Sequence, residues 1–282
     1  MATGNFKKMV YATKIQTQLD TITSLKNHCD FMYEGDIKYG ERLKILGVSR
    51  PTSRAYVPGV DLVLDAGQDA SQFLDIDQAS YINVQVSDIE KAQGVPGKLE
   101  ALSKEAVLSL SEDGDKYVAK IVKDNIDSLN KSSSTDISGV TDGGIALIES
   151  GFRTLYENNC KTTDEFYLEI TPEWHSYLRP EIIALDTDNS DLIRKGCVGK
   201  YGKYGNALVS MENLLPIYND GTRDTKLCML RTSKAIAFAS SIETDSIEAY
   251  RPEKAFSDAI KILYVFGAKI VRPEQLFVFP IY

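Results

Sequence analysis

His28 and His175 are the only imidazoles in the 282-residue chain, and Cys29, Cys160, Cys197 and Cys228 are its only thiols. Imidazoles and thiolates are the side chains best suited to metal binding and nucleophilic attack near neutral pH. Their spacing here supports neither. The histidines lie far apart, and neither has the partner spacing of a zinc motif. The cysteines form no C-x-x-C pair and sit in no activating sequence context, so they read as packed thiols. Residues 196–205, GCVGKYGKYG, are glycine-rich, and their lysines and tyrosines could neutralise and stack on single-stranded nucleic acid. The segment lacks the residue order of a phosphate-binding loop. A twisted, bulged strand whose glycines admit a neighbouring backbone is the preferred reading. Glu169 and Glu173 flank a strand-to-helix turn and could be cast as an acid–base pair. With 40 acidic residues such a pair is expected by chance, and a helix N-terminus already accounts for Glu173. Glu112 to Asp115 (EDGD) lacks the pattern of a calcium loop and reads as a solvated helix face. No catalytic residue, metal ligand or cofactor is expected.

The elements that would hold these residues follow from composition and pattern. The chain is 43% hydrophobic and 26% charged, ordinary values for a folded protein with a sizeable core. A net charge of −8 argues against a general affinity for nucleic acid or anionic membrane. Scattered cysteines and the absence of an apolar leader at the start predict synthesis in a reducing cytoplasm. No window approaches the ~20 apolar residues of a membrane span. Residues 1–28 hold Lys7, Lys8, Lys14 and Lys26 against Asp20, a local balance of +3 (four minus one). They read as an arm, either solvated or docked on a neighbour.

Residues 31–90 predict a long hairpin, with an outgoing arm from Tyr33 to Leu46 and a turn-rich tip. The returning arm runs through Phe73–Ile76 and Tyr81–Val86, where apolar and polar residues alternate. An isolated hairpin is marginal in water, so it should finish its packing on another surface. Residues 97–130 predict a spine helix about 50 Å long, bent or interrupted near Gly114, on a stripe that includes Leu99, Leu102, Ala106, Val107 and Leu110. Val118, Ile121, Val122, Ile126 and Leu129 continue that stripe. The polar tract Asn130 to Asp136 ends the helix and marks a domain boundary.

Thr141 or Asp142 should cap a helix from Gly144 to Glu157, with Asn158 and Asn159 as its stop. Phe166–Ile170 reads as a strand, and Thr171-Pro172-Glu173 as a helix start. Val198–Met211 and Ala235–Ala239 are further strand candidates. Strand-forming residues dominate Ile260–Phe266. Two Arg-Pro-Glu triplets, at 251–253 and 272–274, should mark strand ends or corners because each proline fixes φ and lacks a donor.

Several ordered segments resemble one family. They are Tyr33 to Pro51 (YEGDIKYGERLKILGVSRP), Phe73 to Ile76 (FLDI), and Val86 to Gly94 (VSDIEKAQG) leading into the long helix. Gly199 to Tyr201 (GKY), Leu214 to Pro216 (LLP), Glu248 to Lys254 (EAYRPEK) and Tyr264 to Glu274 (YVFGAKIVRPE) follow. In this order, over most of 31–275, they resemble the major capsid proteins of tailed bacteriophages and prophages, which have the Hong Kong 97-type fold.

The resemblance implies an α+β chain with an N-terminal arm at 1–30 and an extended loop at 31–90. It implies a peripheral domain at 91–137 and 241–282, with the spine helix, and an axial α/β domain at 138–240. It implies a structural protein rather than an enzyme, assembling as pentamers and hexamers into an icosahedral shell in the virion. The partners implied are copies of itself, scaffolding, portal and decoration proteins, and packaged double-stranded DNA held without sequence specificity; no membrane partner is expected. A chain of this length leaves no room for a large inserted domain. Some members cross-link a lysine to an asparagine between subunits; Lys38, Lys44, Asn158 and Asn159 align with no such position, and no cross-link is expected. Intersubunit contact candidates are Lys38, Arg42, Lys44, Arg50 and Arg54 in the hairpin, then Tyr250, Arg251, Glu253 and Lys254 at the first Arg-Pro-Glu corner. The alternatives are an encapsulin-like nanocompartment shell, which shares the fold, and a small α/β hydrolase-type enzyme using Glu169 or Glu173.

Overall fold

Residues 25–32, 42–45, 71–87, 98–140, 142–185, 202–204, 206–241, 247–253 and 256–282 are described by the computed structural model. In chain order come strands β1 (Arg42–Ile45), β2 (Gln72–Asp75) and β3 (Gln78–Ser87), then helix α1 (Lys98–Asp124) and the short β4 (Asn130–Lys131). Helix α2 (Ile145–Glu157), strand β5 (Phe166–Ile170) and helix α3 (Pro172–Leu185) follow. Strands β6 (Gly202–Tyr204), β7 (Ala207–Met211), β8 (Ile217–Asn219), β9 (Asp224–Thr232) and β10 (Ile236–Ser241) come next. The chain closes with β11 (Ile247–Tyr250), β12 (Ser257–Ile270) and β13 (Leu276–Ile281).

Helix α1 buries Ala106, Leu110, Val118, Ala119 and Val122, the stripe that a 3.6-residue period places on one face. Its 27 residues span about 40 Å, somewhat shorter than expected, because a 3-10 turn at Ile126–Ser128 takes over at its end. The side chains of Leu99, Leu102 and Val107 lie outside the described set. The helix is not interrupted at Gly114 but runs through it. A Cβ there would meet the Phe238 ring at 3.5 Å and the Tyr264 hydroxyl at 3.6 Å, ordinary van der Waals contact with a packed neighbour.

That neighbour is a four-stranded antiparallel sheet centred on β12. Strand β3 pairs along one edge, from Ser257↔Ser87 to Phe266↔Gln78. Strands β11 and β10 follow one another along the other edge, at 259–262 and 265–270 of β12. Its inward residues Ile262 and Tyr264 are buried beneath α1.

A second, seven-stranded mixed sheet runs β4-β13-β9-β5-β7-β6, with β8 on β9. Helix α2 packs on β13 and β9, so closely that a Cβ at Gly151 would lie 2.7 Å from the Phe279 ring. Asp142 accepts from the Ala146 amide at 2.9 Å and caps that helix from two residues before its Gly144 N-cap; Thr141 lies outside the described residues. Asn158 and Asn159, the latter at φ 62°, end it as expected. Thr171 accepts from the Trp174 amide at 3.1 Å and starts α3, and the Trp174 indole donates to Gly143 O at 2.9 Å.

Several expectations change. The tract Asn130–Asp136 does not separate two bodies: Asn130–Lys131 pair in parallel with β13. Ser132 and Thr135 amides donate to Val278 and Pro280 carbonyls at 3.0 Å each, so backbone pairing overrides the boundary signal of the polar side chains. The segment 198–211 is not one strand, since β6 and β7 form a tight antiparallel pair through Tyr204↔Ala207; 198–201 lie outside the described residues. Strand β9, at the middle of the larger sheet, went unread, because its buried run 227–232 includes Arg231 and Thr232 and lacks alternation.

The returning hairpin arm serves two sheets. Strand β2 pairs with β1, from Arg42↔Asp75 to Ile45↔Gln72, while β3 belongs to β12. The hairpin base packs its Ile45, Leu74 and Ile76 against Ala237, Ala239 and Val265 in a small second core, which is the partner surface a lone hairpin lacks. Residues 241–282 are divided likewise: β11 and β12 lie in the four-stranded sheet, whose β12 packs on α1, and β13 lies in the seven-stranded sheet. Both Arg-Pro-Glu triplets stand between strands, β11 to β12 and β12 to β13.

Candidate functional site

The residues with the richest chemistry come together in the interior. Glu169 on β5 and Arg231 on β9 are both fully buried and form a two-pronged ion pair. Arg231 Nη2 donates to Glu169 Oε1 at 2.7 Å and Nε to Oε2 at 3.0 Å. His28 Nδ1 lies 2.9 Å from the same Oε1, and its ring stacks on Tyr167 at 4.3 Å. Burial by itself raises the Glu169 carboxyl, but the Arg231 guanidinium and the His28 hydrogen bond outweigh it and hold the group below its ordinary value. Burial alone lowers the Arg231 guanidinium; Glu169 reverses that and holds it above its ordinary value.

This geometry removes Glu169 from an acid–base role. Its oxygens are occupied, and Glu173 is exposed on the first turn of α3. His175 lies half-buried on that helix, lowered by burial and by Arg179. Asp115 corrects the solvated-face reading of 112–115: it is buried, pushed up to about 6 by burial, and accepts the Lys26 amide at 2.9 Å. Cys29 and Cys228 are buried thiols pushed up to about 11 and about 12 by burial. Cys160 is also buried, and Cys197 lies outside the described residues. Among the described residues no cluster of three His, Cys, Asp or Glu side chains could hold a metal ion.

Among the candidate contact residues that are described, Arg42, Lys44, Arg251 and Glu253 are exposed and Tyr250 is half-buried. Arg42 is exposed on β1, paired across the hairpin with Asp75 and 5.4 Å from the centre of the Phe73 ring. Lys44 is exposed two residues on. Lys38, Arg50, Arg54 and Lys254 lie outside the described residues.

Tyr250 does not stand alone at its corner. Asn83 Nδ2 donates to its hydroxyl at 2.9 Å, and the Lys261 ammonium sits 5.3 Å from its ring centre while paired with Glu248. Arg251 and Glu253 are exposed beside it. Alternation along β3 and β12 places Tyr81, Asn83, Lys261 and Leu263 on this same outward face. Tyr81 is 77% exposed and Leu263 40%, and Phe256 just before β12 is 86% exposed. A sheet face carrying aromatic and paired polar groups is suited to binding another surface. Sequence reasoning missed Tyr81, Asn83, Glu248, Lys261 and Leu263 as a group; the period-two pattern of 81–86 was the available signal.

No family profile and no curated protein sequence matches the chain. Solved structures do match. One from Mycobacterium phage Che8 is 29% identical, with 91% of this chain and 90% of that chain covered at a TM-score of 0.71. The capsid structure of cyanophage P-SCSP1u is 16% identical over 87% of this chain and 85% of that one, at 0.64. The virus-like particle from Pyrococcus furiosus is 12% identical over 95% and 96%, at 0.55.

Proposed function

We infer that this chain is the major capsid protein of a tailed bacteriophage or prophage, a structural subunit that assembles with copies of itself into a head shell. The observation that carries this reading is the phage structure that shares the fold over nine-tenths of both chains at 29% identity. The fold is taken to be of the Hong Kong 97 type. In that scheme 1–30 is the arm and 31–90 the extended loop. The peripheral domain comprises 91–137 and 241–282, and the axial domain 138–240. On that division β5 to β9 of the seven-stranded sheet fall in the axial range, while β4 and β13 join that sheet from the peripheral stretches, which also supply α1, β11 and β12.

The work of such a subunit is binding repeated many times. Each contact can be weak, because a subunit engages several neighbours at once and effective concentration does the rest. Arg42, Lys44, Tyr250, Arg251 and Glu253 are proposed intersubunit contacts, joined by Tyr81, Lys261 and Leu263 on the same outward sheet face. Lys38, Arg50, Arg54 and Lys254 are proposed with them on sequence grounds alone. Scaffolding, portal and decoration proteins are proposed partners, and the enclosed double-stranded DNA is a partner without sequence readout. The location is the virion, after synthesis in the bacterial cytoplasm.

A nanocompartment shell is the second reading, favoured by the length match to the archaeal virus-like particle. Its identity of 12% and TM-score of 0.55 rank it below the phage reading at 29% and 0.71. Co-expression with the neighbouring genes, followed by electron microscopy and nuclease treatment, tests the assignment. Closed shells that protect DNA are expected. Protein-filled shells would favour the nanocompartment, and a discrete low oligomer under every condition would overturn both.

A further inference from the structure

The sequence contains three Asp-Gly steps, at 113–114, 142–143 and 220–221. A glycine has no side chain to shield its amide, so the aspartyl carboxyl beside it is open to attack by that nitrogen. The first step lies inside α1, where the helical main-chain ladder holds the Gly114 amide. The second starts α2, with the Asp142 carboxylate accepting from the Gly144 and Ala146 amides at 3.2 and 2.9 Å. The third is exposed throughout, in the turn that joins β8 to β9. Strand pairing ends at Asn219↔Asp224, and the Asp220 amide donates to Arg223 O at 3.2 Å to close the turn. Gly221 sits at φ 91°, the left-handed region that glycine favours.

Both reacting groups of this third step are occupied. The Gly221 amide donates to Asn219 Oδ1 at 2.8 Å. Asp220 Oδ1 accepts from the Thr222 and Arg223 amides at 2.9 Å each, and Oδ2 accepts from the Ser134 hydroxyl at 2.8 Å. Asn219 is itself held, its Nδ2 donating to Asp224 Oδ1 at 2.8 Å. The Thr222 and Arg223 amides, then Ser134, hold the Asp220 carboxyl below its ordinary value, and an ionised carboxylate is a poor electrophile.

We propose that Asp220–Gly221 is a latent site of aspartate isomerisation, kept closed in the folded protein by Asn219 and Ser134. In the suppressed step the Gly221 nitrogen attacks Asp220 Cγ. The N–C bond forms, and the carboxyl hydroxyl leaves as water with the amide proton. A second water opens the resulting succinimide at the Asp220 main-chain carbonyl, breaking that carbon's bond to the Gly221 nitrogen. The main chain then runs through the β-carbonyl, one methylene longer and unchanged in mass. The product would draw the carboxylate away from Ser134 and re-aim Arg223, whose guanidinium lies 4.2 Å from the Tyr282 ring centre. The closure follows from the turn alone and does not depend on the shell reading.

Full-length wild type, S134A, S134T and N219A are aged at neutral pH, and isoaspartate at 220 is followed by chromatography and mass spectrometry of the peptide that contains it. Wild type in urea is the open reference. Asn219 and Ser134 are both exposed, so the variants keep the core intact, and hydrogen-exchange protection of β9 should stay at its wild-type level. N219A and S134A should each isomerise about three- to tenfold faster than wild type, the rate equivalent of one lost hydrogen bond. S134T keeps the donor and should age at the wild-type rate. Urea releases all the donors together and should speed the reaction about a hundredfold. Equal rates in the folded and urea-treated wild type, or an unchanged rate in S134A or N219A, would overturn the closure. Acceleration accompanied by loss of β9 protection would overturn its local origin. Isoaspartate appearing at Asp113 or Asp142 ahead of Asp220 in the folded protein would overturn the choice of site.

Discussion

All five N–H groups of Arg231 are taken up inside the protein: two by Glu169, two by the carbonyls of Leu25 and His28, and one by Cys29 Sγ at 3.5 Å. Such a pair contributes little net stability, because desolvating both charges offsets their attraction. Losing one partner is another matter. Glu169→Gln strands a buried cation and should destabilise the chain by about 3–5 kcal/mol in urea titrations; a loss under 1 kcal/mol would contradict the pairing.

Asp115 behaves in the opposite sense. Burial raises its folded pKa from 3.8 to about 6. As pH climbs between those values the unfolded state releases a proton that the folded state retains, so stability falls through this window and levels off above about 6. Asp115→Asn keeps an acceptor for the Lys26 amide and has no proton to lose. Its stability relative to wild type should rise by roughly 2–3 kcal/mol between pH 4 and pH 7. The same wild-type-to-variant gap at both pH values would refute the raised pKa.

At the scale of elements, the hairpin is the piece that cannot stand alone. Lys269 Nζ donates to Phe73 O at 2.8 Å and Gln72 Nε2 to Val271 O at 3.1 Å, tying β2 across the end of β12. Gly267 permits the crossing, since a Cβ there would lie within van der Waals overlap of the Asp75 carbonyl. Backbone cannot yield as a flexible side chain can. Gly267→Ala should therefore lift the hairpin base and cost about 1–3 kcal/mol. Hydrogen exchange should quicken at 42–45 and 72–75 while β9 keeps its protection; unchanged exchange in the hairpin would sink this account. Exchanging the cross-strand pair, as R42D/D75R, keeps the hairpin's ion pair and relocates its charges. If Arg42 meets a neighbour, assembly yield by light scattering should fall while the melting temperature holds; normal yield would remove Arg42 from the interface.

At the scale of the molecule, two sheets of different character share one chain that passes between them repeatedly. Strands β10 and β12 serve one sheet and β9 and β13 the other, so adjacent strands in sequence part company at 233–235 and 271–275. Thr232 donates to Gln275 at 2.8 Å and the Val271 amide to Ala235 O at 2.9 Å, which holds the two crossings side by side. A subunit braced in this way can transmit load from one body to the other without a flexible linker. Its stability should accordingly appear as one main transition for both sheets by calorimetry; two well-separated transitions would argue for independent bodies.

Local chemistry was legible in the sequence where the determinant is local. The α1 stripe, the Asn158–Asn159 stop, the Thr171-Pro172 helix start, strand β5 and the Arg-Pro-Glu corners each follow from residues within a turn of one another. Ordered segments spread along the chain also carried the family resemblance. Long-range pairing was not legible. Nothing in 130–136 reveals that it adds to the edge of β13, and nothing in 224–232 marks β9 as central, because a buried arginine disguises the strand until Glu169 and the carbonyls of 25 and 28 surround it. His28 likewise looked like a lone imidazole. The sequence by itself determined which segments turn, cap and alternate. The tertiary structure alone decided which distant segments satisfy each other's backbone and buried charges, because those partners meet only once the chain has closed on itself.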